Sequence, residues 1–465
     1  MAITNYNFNA ADYVRSGSKR VITCSSSSIS GNFKYRFYLE LIYDSKTYAY
    51  TFRPNKDDYG LINIGKILQS IVSPISVQQV LTIPDADASL TTNYFQQNIH
   101  SMPHIINDTS DRYAYLSTGG SGCKRIQVKL WDFYSSTANG VPSKQGSAQE
   151  DYYYVLTGTE LSTDSIRFKW SDYKLTATNT KFLSHNYNAL GHTDAALTDY
   201  GSVAILNRTD DVNTAANSYK FIVNYYNSSD VLLATQDFIN TEDYGGKYDA
   251  SGVTDDSMII HFGCYPANLN KLDASYERPS DNPSCTYYEV YIANSGGTRK
   301  SSLYRFNIVR RCDKYDSQRF AFINRFGVWE YITFNKKRTD KIRNKKTEIK
   351  SSIFDYAKTY ATYSGDYAEA PFVPGVAHES RSVKAADISE EFEVSTGYLN
   401  TGDIAKVRDM FISPLINYIN SDGTALAVIL KNDSIDNVVV SHKFEQTEYK
   451  LKFEYSIPTY NSIIY

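Results

Sequence analysis

No stretch of this chain approaches the roughly 18 consecutive apolar residues that a bilayer-crossing helix needs. The first residues, Met1-Ala2-Ile3-Thr4-Asn5-Tyr6, lack the basic segment followed by an apolar one that marks a secretory leader. The expectation is a soluble product of a cytoplasm, without membrane insertion. Sulfur is scarce. Five cysteines (Cys24, Cys123, Cys264, Cys285, Cys312) stand far apart, with no CxxC or zinc-type spacing, so reduced structural thiols are expected. A Cys264–Cys285 or Cys285–Cys312 bridge stays open as an alternative that nothing in the spacing supports. The formal net charge of −3 argues against nucleic-acid or membrane attraction as the main function.

Catalytic signatures are missing too. His100 and His104 stand four apart, but Pro103 lies between them and no HExxH is present. His185 and His192 occupy an Asn/Gly-rich stretch, and His261 lies in the apolar run from Met258 to Phe262, where it reads as a core residue. No GxSxG elbow exists. The glycines between Gly119 and Gly122 carry no lysine and precede a strand pattern, so they lack the helix N-terminus that would hold a phosphate. The acidic pairs Asp57-Asp58, Asp210-Asp211, Asp255-Asp256 and Glu390-Glu391 would point to opposite faces of a strand. A glycosidase instead needs two carboxyls about 5–10 Å apart across a cleft, an arrangement in space that spacing along the chain does not reveal. The reading is therefore non-enzymatic, with no catalytic, cofactor-binding or metal-binding residue.

What the chain has in excess is tyrosine: 41 Tyr and 22 Phe stand against 4 Met and 3 Trp. Aromatic residues favour strands and bury large areas while keeping a polar tip. Phe33, Tyr35, Phe37, Leu39, Leu41 and Tyr43 alternate with more polar neighbours, and Tyr48, Tyr50 and Phe52 continue the alternation after a turn at Asp44-Ser45-Lys46. This period of two predicts a hairpin. The period then changes: Ile64, Ile67, Leu68 and Ile71 predict a helix over about 61–72, stopped by Ser73-Pro74.

Further strands are predicted around Ile126–Leu130, Tyr219–Tyr226 with Val231–Phe238, and Thr286–Ala293 with Ser301–Arg310. The Ser135–Gln149 stretch reads as an exposed excursion from a sheet. Near the end, Asp387–Val394 predicts a strand. A helix follows over about 402–412, capped by Thr401 and stopped at Ser413-Pro414, and then come strands at Thr424–Leu430 and Tyr449–Tyr455. The fold class expected is mainly β, in several antiparallel sandwich-like modules with one short amphipathic helix in each terminal module. The expected modules are 1–122, 123–345 (one or two units) and 346–465. Pro84–Gly122, Thr176–Val203 and Tyr356–Val383 read as long arms.

From Lys336 to Lys350 the chain is markedly basic. The functional reading is a contact with an acidic neighbour or a transient one with DNA; the plainer and favoured reading is a solvated linker.

Three segments resemble virion structural proteins of tailed phages of Bacteroidota hosts, the group that includes the crAss-like phages. One is the opening hairpin and helix, from Tyr35-Arg36-Phe37-Tyr38-Leu39 through Asn55, Gly60 and Ile62-Asn63-Ile64-Gly65-Lys66-Ile67-Leu68. The second, Phe322-Ile323-Asn324-Arg325-Phe326-Gly327-Val328-Trp329-Glu330, is similar to a recurring "FLNRxGGxD"-type strand-turn-strand. Val328 replaces its second glycine, and the acid is Glu330. The third is the ending: Asp403 to Pro414, Ala427-Val428-Ile429-Leu430-Lys431-Asn432-Asp433, and Lys450 to Tyr455. Together they cover about a third of the chain. The resemblance implies a homo-oligomeric tail or neck component (hub, ring, collar or fibre-attachment subunit) located in the virion, with other virion proteins as partners. Competing expectations are a carbohydrate-binding adhesin, with Trp131 and Trp170 stacking on sugars, and a glycan-cleaving tail enzyme.

Overall fold

The computed structural model describes residues 3–5, 12–43, 45–72, 123–159, 170–173, 180–184, 192–206, 220–239, 259–270, 277–310, 314–350, 381–399, 401–420, 425–434, 447–456 and 463–464. The structure is mainly β, built as three modules of antiparallel-rich sheets.

The first module holds β1 (Ile3–Asn5), β2 (Asp12–Arg15), β3 (Val21–Ser26), β4 (Phe33–Tyr43), β5 (Lys46–Phe52), β6 (Tyr59–Asn63), α1 (Gly65–Ile71), β7 (Cys123–Ser135) and β8 (Ser143–Leu156). A three-stranded sheet, β1-β3-β6, packs against a five-stranded one, β2-β8-β7-β4-β5. The alternation in β4 does what its period dictates: Phe37, Leu39 and Leu41 are fully buried, while Tyr38, Glu40 and Ile42 lie on the outer face. Fully burying each of these apolar side chains contributes about 1.5–3 kcal/mol. α1 adds Leu68 and Ile71 to the same core, together with Ile64 just before it.

Three expectations are corrected in this module. The helix begins at Gly65, because Leu61–Asn63 pair with Val21–Thr23 as part of β6. The stretch from Ser135 to Gln149 is no excursion, since β8 starts at Ser143 and pairs back along β7. The boundary at 122 falls inside a sheet: β7 pairs with β4, and β8 with β2, so the module extends to about residue 158.

The central module contains β9 (His192–Ala196), β10 (Val203–Leu206), β11 (Lys220–Asn227), β12 (Leu232–Ile239), β13 (Ile259–Phe262), α2 (Pro266–Leu269), β14 (Cys285–Ala293) and β15 (Tyr304–Val309). The sheet β12-β11-β14-β15-β9 lies over the β10-β13 pair. Both hairpins read from the sequence are present, β11 with β12 and β14 with β15. The supposed arm from Thr176 to Val203 contains β9, which runs parallel to β15. The arm from Pro84 to Gly122, and residues 356–380 of the last one, lie outside the described residues.

The C-terminal module comprises β16 (Gln318–Ile323), β17 (Trp329–Phe334), β18 (Arg338–Lys350), β19 (Arg381–Leu399), α3 (Thr401–Ile412), β20 (Ile416–Ile419), β21 (Ala425–Leu430), β22 (Thr447–Tyr455) and β23 (Ile463–Ile464). These strands form one sheet in the order β17-β16-β20-β21-β22-β19-β18, with β23 on β19. Its core face carries Phe320, Phe322, Phe334, Phe392 and Phe453, and α3 covers it with Ile404, Val407 and Met410. Because β16 and β17 belong to this sheet, the module starts near residue 318, and the expected boundary at 345 falls within it. The run from Lys336 to Lys350 is a strand for most of its length, so the linker reading is overturned.

Candidate functional site

The motif from Phe322 to Glu330 forms the place where the three modules meet. Asn324 turns the chain between β16 and β17: its N–H bonds the Val328 carbonyl at 2.9 Å, and its carbonyl receives the Gly327 N–H at 2.9 Å. The Asn324 side chain accepts from the N–H groups of Phe326 (2.9 Å) and Val328 (3.3 Å). It donates to the Leu183 carbonyl and to Glu330 Oε2, both at 3.0 Å. Gly327 has φ +81°, and a β-carbon there would overlap the Thr157 carbonyl of the first module. The Arg325 N–H donates to Asp409 Oδ2 on α3 at 2.8 Å, and Phe326 packs with Tyr154, Leu156 and Leu183. The resemblance motif is thus a structural joint, with every polar group of Asn324 engaged in holding it.

A cleft of about 830 Å³ opens between the central and C-terminal modules, lined by β9, the end of β15, residues 315–319, β17, the end of β19 and the first turns of α3. Arg319 lies in its wall, almost buried. Its Nε donates to the Tyr200 carbonyl and its Nη1 to Thr333 Oγ1, each at 2.6 Å, and the guanidinium sits over the rings of Tyr265 and Tyr331. The cleft also holds Asp194, Asp199, Asp316 and Asp403, together with the exposed rings of Tyr315 and Tyr398. Asp199 is engaged by Arg319, Asp403 stands 3.7 Å from the Lys406 ammonium, and Asp194 accepts from Asn307 at 3.2 Å. His192 is exposed at the rim.

The third feature is a projecting ribbon. β18 pairs with β19 along its whole length, from Arg338↔Val394 to Lys350↔Arg381. β22, the next strand, pairs with β19 only from Glu391 onward. Beyond that point the two strands continue as a ribbon, joined among the described residues by the two residues of β23. Residues 341–348 are all exposed. At about 3.3 Å per residue, the 13 residues of β18 span roughly 40 Å. On one face, Lys341 and Arg343 reach Glu393 (3.8 Å) and Glu391 (2.9 Å). The other face continues the plane of Phe392 outward, and there Ile342 is 67% exposed. Sequence reasoning missed this strand because charges occupy both of its faces and hide any period of two.

The remaining candidates are scattered. His261 sits in β13 opposite Ala204; His100, His104, His185, Asp210-Asp211, Asp255-Asp256 and Gly119 to Gly122 lie outside the described residues. Asp57 and Asp58 are exposed turn residues, and Glu391 belongs to the ribbon's charge ladder. Cys24, Cys264 and Cys285 are buried free thiols, so neither bridge left open by the sequence forms at Cys285. Burial pushes the Cys24 thiol up to about 12, with the Asp132 carboxylate adding to the effect. Trp131 is half-buried, and the Lys144 ammonium lies 4.3 Å from its ring centroid, which covers one stacking face. Trp170 packs against Tyr173 and the Arg15 guanidinium. Among the described residues no helix is long and apolar enough to cross a membrane, and no group of three metal-ligating side chains occurs. No protein-family model matches the chain, and no curated protein matches it.

Proposed function

We propose that the chain is a non-enzymatic structural subunit of a tailed-bacteriophage virion, placed in the tail or neck, that works by assembling with copies of itself and with other virion proteins. The observation that carries this reading is the β18–β19 ribbon. It leaves its sheet with residues 341–348 of β18 exposed on both faces, and extends the plane of a packed core without covering another strand or helix among the described residues. An isolated two-stranded ribbon is marginal in water, and its stability rises when a neighbour covers it. A joint built from three modules around one turn supports the same reading, because it gives a mechanically continuous body from which such an arm can act. The resemblance across a third of the sequence supplies the virion context.

The direct test is to locate the chain in a purified phage particle, by mass spectrometry of the particle and labelling of this chain in electron micrographs. Presence in the tail or neck is expected; a chain made during infection but absent from particles would sink the proposal.

A second reading, recognition of a surface carbohydrate, is favoured by one observation. The cleft combines the exposed rings of Tyr315 and Tyr398 with Asp194, Asp316 and Arg310, and aromatic faces with planar polar groups suit a sugar. Binding on a glycan array that is lost in Tyr398→Ala would favour it; an array without signal would count against it.

A further inference from the structure

We infer that copies of this chain associate head to tail, the β18–β19 ribbon of one copy lying on the acidic end of the β11–β12 hairpin of the next. The inference rests on the reading of the chain as an assembly subunit and names the partner of its ribbon.

Charge is divided unevenly along the chain. From Lys336 to Lys350 there are eight basic and two acidic residues; from His192 to Glu289 there are fifteen acidic and five basic. The arm and much of the central module therefore carry opposite signs in a molecule whose net charge is only −3. Lys341 and Arg343 are partly neutralised by their glutamates. Lys345 and Lys346 point to opposite faces of β18, are exposed, and form no ion pair among the described residues. Ile342, on the same face as Lys346, gives that face an exposed aliphatic group.

The matching surface lies at one end of the central sheet. The β11–β12 turn presents Asp230, with Val231 54% and Leu232 50% exposed. Beside it, Glu277 is anchored by its backbone: its carbonyl accepts from Tyr225 Oη at 2.9 Å, and its N–H donates to Gln236 Oε1 at 3.3 Å. Each surface thus offers exposed aliphatic groups beside charge, with cations in excess on the ribbon and carboxylates in excess at the hairpin end, where Arg278 is paired with Asp281. Ribbon on ribbon would set lysines against lysines, so the contact joins two different surfaces, which closes a ring or extends a filament. A second copy also fits better than a nucleic acid. A phosphate backbone rewards cations but gives Ile342 nothing to cover it, and two of the ribbon's cations already face glutamates.

Sedimentation velocity of the full chain at about 50 and about 500 mM NaCl, two screening regimes, tests this. Concentration-dependent oligomers are expected at low salt, weakened at least about tenfold at high salt. The double variant Lys345→Glu/Lys346→Glu should weaken association by a similar factor while its melting temperature stays unchanged, as should Val231→Lys/Glu277→Lys. Combining all four changes in one chain should restore association. A wild-type monomer at both salts, indifference to both reversals, or failure of the combined variant to recover would overturn the inference. So would retention of a short DNA duplex by the wild type and its loss in Lys345→Glu/Lys346→Glu without any self-association. A chain found in particles whose association ignores the reversals would remove this contact alone. A chain absent from particles would remove the reading beneath it.

Discussion

Arg319 on β16 and Asp199, three residues after β9, face each other with 3.4 Å between Nη1 and Oδ2, and both side chains are all but buried. The pair links the C-terminal module to the central one. Asp199 Oδ2 also accepts from the Ala196 N–H at 3.0 Å, so the carboxylate is held from both sides. Breaking a buried pair by removing one partner leaves an uncompensated charge and typically costs about 3–5 kcal/mol. We expect Arg319→Ala and Asp199→Ala each to lower stability by that order, read from urea unfolding. The double variant should lose less than the sum, because the second removal leaves no orphan charge. Additive losses would show that the two groups do not act as a pair.

The Asn324–Gly327 turn should be equally intolerant. Gly327→Ala meets two obstacles at once, a left-handed backbone and overlap with the Thr157 carbonyl. A loss of about 3 kcal/mol or more is expected. Asn324→Ala removes two acceptor and two donor contacts from a buried site and takes one hydrogen-bond donor from Glu330, which also accepts from Ser184 Oγ at 2.9 Å. A loss of about 3 kcal/mol is expected there too. Asn324→Asp keeps the two accepted bonds but sets a carboxylate against Glu330, and should be no better than Ala. Thermal unfolding of the three variants decides the matter.

How much of this was legible beforehand follows from the physics of each element. The β4–β5 hairpin could be read because one face of each strand enters a core and the other does not. The core face of the C-terminal sheet was legible in Tyr449–Tyr455 for the same reason. β18 was not, since its strand character comes from pairing with β19 and not from a buried face. The module boundaries were misplaced because strand partners far apart in the chain, such as Leu39↔Leu130 and Phe322↔Ile416, leave no local mark. The Asn324 turn was recognised as a pattern, but its role as a joint depends on Thr157, Leu183 and Asp409, which only the fold brings to it. The cleft has no sequence signature, since its residues come from both sides of a module junction.

Tyrosine ionisation should report on the fold at alkaline pH. Burial raises the hydroxyls of Tyr225, Tyr265, Tyr288, Tyr304 and Tyr331 above their ordinary value. It also lifts Tyr287 to about 12, with its hydrogen bond to Asp230 contributing. Because the folded state holds these protons more tightly than the unfolded chain, the stabilisation is complete below the unfolded value near 10 and is lost as pH rises beyond it. Phenolate absorbance should rise in two phases, exposed tyrosines first and the buried set together with unfolding. A single smooth titration with intact circular dichroism would contradict the burial described here.

The buried thiols lead to a related expectation. Thiolates react and thiols do not, and Cys24 stays protonated far above neutral pH, while complete burial also raises the Cys264 thiol well above its ordinary value. Alkylation at pH 8 should leave Cys24, Cys264 and Cys285 unmodified in the native protein and modify all three in denaturant, as peptide mass mapping would show. Modification of Cys24 at a native rate close to that of free cysteine would mean that the first module's core opens.

Phe320 offers a test of where the C-terminal module begins. Its ring stacks on Phe453 with centroids 4.5 Å apart and also touches Phe334, Phe392 and Tyr418. It therefore lies at the centre of a core whose other members come mostly from beyond residue 390. Truncating a buried phenylalanine costs about 3–5 kcal/mol, and in a single cooperative unit that loss is shared by every strand lining the cavity. Phe320→Ala should reduce hydrogen-exchange protection in β19, β20 and β22 along with β16, and Phe453→Ala should give the same map. Were residues 346–465 a unit of their own, Phe320→Ala would weaken β16 and β17 while β22 kept its protection. The stacking of Phe320 on Phe453 makes the shared loss the expected result.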